Sequence, residues 1–442
     1  MKKTVILALV LILVIVPIFA QGEKEKSSGN SAASGVEEIV FWDMNWGSDT
    51  TYIDAAKALT EKFNASQAKI QVTYQSIPWS NYYQVFLTAI KGGVGPDVAT
   101  AGSQTPIQFA QMGEIQSLDS VVEAWKAEKN PILDDFATGA LETNLFNGHY
   151  IALPWNADVR MWTYRTDYFA QAGITALPKT WNELLDILRI LQKKYPDKYP
   201  LAIAGDMSGI QHLMNWLNIS NATGIVSAEG KANFNTKAMQ ECLEFIATLY
   251  DEKLIPAASI SYKWEDLDRL FLNDDCCIVF GPARPAFTEK PDFAKNIALL
   301  EPMRGPSATK PLTLYWANSI GVYSKAHTEA SKVFLKWWEE NNLPLWTEGH
   351  LLSLPLRKSY MENPYFQQNF FTNEITKKIA PTFAHATYPF PAFYPAFGQI
   401  NGERYLAEAA QKVLNGSRNY ATVLQEGQEE TLDAIDMVAQ AN

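Results

Sequence analysis

The chain has 442 residues, of which 47% are hydrophobic, 12% aromatic and 19% charged, and its formal net charge is −11. That length and apolar content suffice for two or three domains with cores of their own. The acidic balance excludes a nucleic-acid partner, which requires clustered Lys and Arg, and disfavours any polyanion, while a single small anion stays open.

Lys2 and Lys3 precede an apolar run from Val5 to Phe19 that ends at Ala20. The run is short for a membrane span of about 20 residues, and its order is that of a secretory signal segment, expected over 1–20. Retention as an anchor helix is the alternative. No Cys lies near Ala20, so export without a lipid-modified N-terminus is expected. Residues 21–35 are mostly Ser, Gly, Glu and Lys, cannot repay their ordering entropy, and read as a flexible tether.

Strands and helices then alternate. Glu38 to Trp42 reads as a buried strand. Asp49 or Thr50 caps a helix with Ala55, Leu59 and Phe63 on one face. Lys69 to Ser76 alternates as a second strand, Tyr82 to Ile90 is helical, and Gly95-Pro96 precede a short strand at 97–99. Such a βαβαβ order predicts a parallel sheet. Thr180 to Glu183 form a capping box before Leu184, Leu185, Leu188 and Leu191. Thr236 opens another helix, Cys276 to Phe280 return as a buried strand, and helices are expected near 329–340, 402–414 and 426–439. The three cysteines, Cys242, Cys276 and Cys277, read as buried free thiols. No CxxC or HExxH spacing suggests a metal, and no cofactor is expected.

The ordered segments resemble the extracellular solute-binding proteins of the maltose-binding type. The resemblance rests on Glu61-Lys62-Phe63-Asn64, Gly95-Pro96-Asp97-Val98, Gly113 to Asp119, Asn147 to Pro154, Trp162 to Phe169, Pro178 to Leu184 and Leu270 to Pro282. Arg165 stands where the family usually has Asn, and Asp274 to Cys277 replace small residues. The resemblance implies an α/β fold of two lobes (the class II periplasmic binding protein fold) with the ligand cleft and hinge crossovers between them. Lobe one is expected over 36–156 plus 316–358, and lobe two over 157–315 plus 359–442. It further implies a monomeric carrier in the periplasm or an equivalent extracytoplasmic space. That carrier captures a mono- or oligosaccharide for an ABC transporter permease in the inner membrane.

A sugar needs paired donors and acceptors at its hydroxyl edges and flat apolar surfaces at its C–H faces. Asp158 matches the family's acidic residue at the lobe crossover, with Trp155 in the same stretch. Asn45 and Trp46 follow the first strand, at the mouth favoured for ligands in open α/β sheets. Ser103 and Gln104 follow the third strand, Trp316 and Asn318 lie where the chain re-enters lobe one, and Tyr394 lies in a Pro-rich loop. Arg284 stands where maltose-type members tend to carry a stacking ring. Together with Arg160 and Arg304 it raises an alternative ligand, an anionic sugar or phosphorylated polyol. No G-x-S-x-G elbow, P-loop or dinucleotide fingerprint is present, and the more remote alternative is a secreted glycan-cleaving enzyme.

Overall fold

The computed structural model describes residues 35–440 except 48–49, 80–81, 103–104, 138–139, 282–285, 287–289, 352, 391–393 and 395. The expected signal segment and all but the last residue of the tether lie outside the described residues. No helix among the described residues is long and apolar enough to cross a membrane.

Strand β1 (Glu37–Met44) pairs in parallel with β2 (Ile70–Ile77), from Glu37 opposite Ile70 to Met44 opposite Ile77. The helix Thr50–Ser66 connects them and buries Tyr52, Ala55, Leu59 and Phe63 at helical spacing. The helix Tyr82–Lys91 then leads to β3 (Val98–Ala101), which lies parallel to β1 on its other side. The expected βαβαβ unit is therefore present. A small hairpin of β4 (Leu145–Phe146) and β5 (His149–Tyr150) precedes β6 (Leu153–Val159).

Two residues later the chain enters a second sheet, made of β7 (Trp162–Arg165), β8 (Tyr199–Ala202), β9 (Cys276–Phe280) and β10 (Ile297–Leu299) in the order β10-β7-β9-β8. It returns through β11 (Thr313–Val322), which lies antiparallel between β6 and β3; β12 (Leu354–Pro355) flanks β6 and β13 (Phe383–His385) pairs with β11. Each sheet has its own core. Ile39, Phe41, Phe63, Phe86, Trp155, Phe334 and Trp338 belong to the first. Leu184, Leu188, Leu217, Leu243, Ile246, Phe280 and Val413 belong to the second.

Local signals explain the helices of the second lobe. Thr180 Oγ1 accepts from the Glu183 amide at 3.2 Å while the Glu183 carboxylate accepts from the Thr180 amide at 3.1 Å. Two otherwise orphaned donors are satisfied before the helix Trp181–Lys194 buries Leu184, Leu185, Leu188 and Leu191. The single helix expected from Gly402 is divided: Arg404, at φ 67°, separates Phe397–Glu403 from Tyr405–Leu414. A non-glycine residue in the left-handed region cannot continue a right-handed helix. The last helix starts earlier than expected, spanning Tyr420–Gln440. Cys242, Cys276 and Cys277 are free and buried, and burial pushes the Cys277 thiol up to about 12.

The two departures from the family pattern meet in space. Arg165 donates to Asp167 through Nε at 2.8 Å and Nη2 at 2.6 Å, and its Nη1 donates to Asp274. Asp274 also accepts from the Tyr168 hydroxyl and from Lys198 Nζ. The guanidinium lies over the rings of Tyr168 and Phe293, at 4.4 and 4.2 Å. A buried Arg and an acidic residue at a tight turn are thus one ion-paired unit, which accounts for both replacements.

Candidate functional site

A cavity of about 460 Å³ opens between the lobes where β6 passes towards β7, within the range of small-molecule clefts. Side chains in a strand alternate between faces. On β11, Trp316 and Asn318 share one face and line the cavity, opposite Asp158 and Asn156 of β6. Asn318 Nδ2 donates to Asn156 Oδ1 at 2.8 Å.

Lobe one adds the loop after β1. Asn45, Trp46, Trp79, Tyr82 and Tyr83 line the cavity. Trp46 and Trp79 meet edge to face at 4.8 Å, as do Trp79 and Tyr82 at 5.2 Å. Trp79 Nε1 donates to the Asn45 carbonyl at 2.7 Å. The Trp46 indole N–H is held from behind by Asp43 Oδ1 and Thr100 Oγ1, both at 3.2 Å. Asp43 is fully buried and also accepts from Tyr52 at 2.9 Å and Thr100 at 2.5 Å; burial raises its pKa to about 6.

Lobe two contributes the helix Met207–Ser220 and the start of the helix Trp264–Leu272. Asp206 caps the first by accepting from the Gly209 amide at 2.8 Å, which directs Gln211, His212 and Asn215 to the cavity. His212 Nδ1 bonds the Ser208 carbonyl at 2.8 Å, and the imidazole sits edge-on to Trp316 at 5.1 Å and Trp264 at 5.6 Å. Arg160, between β6 and β7, donates through Nη1 to Asp158 Oδ1 at 2.6 Å. Gln211 Nε2 donates to Asn401 Oδ1 at 3.0 Å. The cavity thus joins partly exposed rings to paired donors and acceptors. Among the described residues, no group of three or more His, Cys, Asp or Glu is placed to hold a metal ion.

Burial, then the neighbouring Arg160 charge, pushes the His212 imidazole down to about 3. The unfolded chain takes up this proton near pH 6.5 whereas the folded chain does not, so the His212 contribution to stability is lost as pH falls from about 6.5 towards 3. His212→Gln is expected to remove that contribution. Urea unfolding between pH 7 and pH 4 checks it, the variant losing less stability than the parent across the interval.

Of the residues singled out in the sequence, the structure brings Asn45, Trp46, Asp158, Trp316 and Asn318 together at the cavity. Trp155 is placed elsewhere. It is fully buried against Trp46, Trp338 and Trp346, with centroids 5.1–5.6 Å apart. It stands where the pairing of β6 with β11 shifts register, and it joins the first core. Tyr394 also turns away: its hydroxyl donates to the Gly230 carbonyl at 2.8 Å and its ring meets Phe390 at 5.1 Å. Ser103, Gln104 and Arg284 lie outside the described residues. Arg304 donates to the Ala308 carbonyl at 3.0 Å and does not line the cavity. Trp79, Tyr82, His212, Trp264 and Asn401 were not singled out. They come from one loop and four separate helices, and no local pattern links them.

Residues 47–341 match the family model of bacterial extracellular solute-binding proteins. The chain belongs to that family. Its members are substrate-binding proteins, and the extracellular character of the family places the chain outside the cytoplasm. A solute-binding relative, the diacetylchitobiose binding protein DasA of Streptomyces coelicolor, is 26% identical over 273 residues, covering 61% of this chain and 58% of the relative. A binding protein of Brucella abortus is 24% identical over 213 residues, 47% of this chain. The matched part spans about half, 49%, of that relative's length. The crystal structure of a sugar transporter from Arthrobacter chlorophenolicus with bound laminaribiose superposes with a TM-score of 0.81 at 27% identity, covering 90% of this chain and 99% of that one. The fold is the two-lobe, maltose-binding type of periplasmic solute-binding protein.

Proposed function

We propose that this solute-binding protein captures a mono- or oligosaccharide between its lobes and delivers it to an ABC transporter permease. One observation carries the reading. Indole and phenol rings line one cleft between the lobes together with side-chain amides, carboxylates, guanidinium groups and hydroxyls. Apolar C–H faces stack on rings and hydroxyls need paired polar edges, so this wall matches a sugar on both counts. The diacetylchitobiose and laminaribiose named for similar proteins support the same class.

The lobes take residues 36–156 plus 316–358 and 157–315 plus 359–442; the two cores and most of the two sheets support this division, although β6 runs on to Val159, β11 starts at Thr313 and β13 (Phe383–His385) pairs with the first sheet. The protein works as a monomer in the periplasm or its extracytoplasmic equivalent and turns over no substrate. Ligand contacts to both lobes stabilise the closed state, and the segments between the sheets serve as hinges.

The helix Phe397–Glu403 supports closure. It seats Phe397 and Ile400 in the second core, while Gly398 and Gly402 face the first lobe. A Cβ at Gly402 would meet the Tyr83 ring at 3.1 Å, and one at Gly398 would meet Gln108 at 2.7 Å. Gly402→Val is therefore expected to hold the lobes apart and weaken sugar affinity by about tenfold, near 1.4 kcal/mol, as read by calorimetric titration.

The function itself is tested by melting the protein against neutral oligosaccharides, uronides, phosphorylated polyols and amino acids. Ligand at 100 times its Kd stabilises by about 2.7 kcal/mol. Stabilisation by sugars, with the sugar recovered intact, is the expected result. Stabilisation by amino acids alone, or cleavage of a sugar, would overturn the reading.

A further inference from the structure

The cleft walls constrain the ligand's charge and hydroxyl pattern, an inference that rests on the sugar-binding reading. Asp158 is the penultimate residue of β6 and Arg160 stands directly after that strand, so both sit on the segment that joins the two sheets. The Arg160 guanidinium lies over the rings of Trp264 and Trp316, at 5.2 and 5.4 Å. A planar guanidinium covered in this way reaches polar partners through its edge. One end of that edge, Nη1, is spent on Asp158 Oδ1. Among the described residues Arg160 Nη2 and Asp158 Oδ2 have no hydrogen-bond partner, and neither has Arg160 Nε, which is buried away from the cavity's solvent; both side chains line the cavity.

The two accessible atoms, Nη2 and Oδ2, are complementary: a guanidinium only donates and a carboxylate only accepts. A hydroxyl does both, so two adjacent hydroxyls can take one role each. We propose that Asp158 and Arg160 together read a vicinal diol of an uncharged sugar. One hydroxyl donates to Asp158 Oδ2 and its neighbour accepts from Arg160 Nη2.

Charge supports the same conclusion. Arg160 is already neutralised by Asp158. Among the described residues, the cavity wall also carries Glu265 and Glu403 against Arg404, with the His212 imidazole uncharged near neutral pH. An anionic ligand would enter where these two carboxylates outnumber the one guanidinium and like charges repel, and Arg160 has one Nη already committed to Asp158. The arginine-based anionic alternative is weakened at Arg160, the one of its arginines that lines the cleft among the described residues.

Calorimetric titration of the purified protein tests the assignment, with laminaribiose, maltose, chitobiose, glucuronate and glucose 6-phosphate as probes. A neutral sugar is expected to bind with a Kd that stays constant between about 50 and 500 mM salt, added only to vary screening. For that sugar, Asp158→Asn and Arg160→Gln should each raise Kd by about tenfold or more. The double variant should lose less than the product of the two, because both residues serve one diol. Arg160→Lys, which keeps the charge without the planar edge, should also bind weakly, and melting curves confirm that each variant is folded. Tighter binding of glucuronate or glucose 6-phosphate than of any neutral probe overturns the inference. So does unchanged affinity in folded D158N and R160Q while Trp316→Ala abolishes binding, which leaves the sugar-binding reading standing. If none of the sugars binds, that reading and this inference fall together.

Discussion

Replacing Asp43 with alanine is expected to lower the free energy of unfolding by about 3–5 kcal/mol. The carboxylate is fully buried and accepts from the hydroxyls of Tyr52, Tyr74 and Thr100 and from the Trp46 indole. Alanine leaves these donors beside a small void, and each buried donor without a partner costs about 1–3 kcal/mol. Asp43→Asn keeps an acceptor oxygen and should lose less. The charge brings a pH dependence of defined sign. With its folded pKa raised from 3.8 to about 6 by burial, Asp43 holds its proton more tightly in the folded chain than in the unfolded one. Its contribution is then full below pH 3.8 and falls as pH rises to about 6, by on the order of 3 kcal/mol. Urea titrations at pH 4, 5, 6 and 7 check both points: the parent should show this falling component relative to D43N, and a difference between the two that does not vary with pH would contradict it.

Trp155→Ala should cost about 3–5 kcal/mol and, in addition, weaken sugar binding although the residue does not line the cleft. Trp155 fills the space between Trp46 on one side and Trp338 and Trp346 on the other. Removing it takes the support from behind Trp46, whose ring also braces Trp79. A ring that is free to tilt has to be ordered again when ligand binds, at a cost in affinity. Trp155→Phe keeps most of the volume and should recover most of both losses. Melting and calorimetric titration of the two variants separate the effects: loss of stability with unchanged affinity would show that the indole supports only the core.

Much of this arrangement can be read from local patterns. The capping box at Thr180 and Glu183, the alternation along β2 and the helical spacing of Ala55, Leu59 and Phe63 each depend on a few neighbouring residues. The parallel order of β1, β2 and β3 then follows from the crossover helices. Asp158, Trp316 and Asn318 stand out because they flank the crossings between sheets. Strand alternation does not suffice to set Trp155 apart from Asp158, because the pairing of β6 with β11 shifts register at Trp155. The remainder depends on tertiary pairing. Arg160 reads as an ordinary surface arginine until Trp264, about a hundred residues later, is folded over it. His212 acquires its role only through Trp316 and Trp264 on other elements. In the same way Arg165 and Asp274 look like separate departures from a family pattern, and only the fold makes them partners.

Small-angle X-ray scattering of the protein, with and without a saturating amount of whichever probe sugar binds, tests the central claim most directly. If the sugar is clamped between the two lobes, the radius of gyration falls on binding, and Gly402→Val blunts the change. A sugar that binds with full occupancy while the radius of gyration stays the same in both proteins would contradict capture by lobe closure.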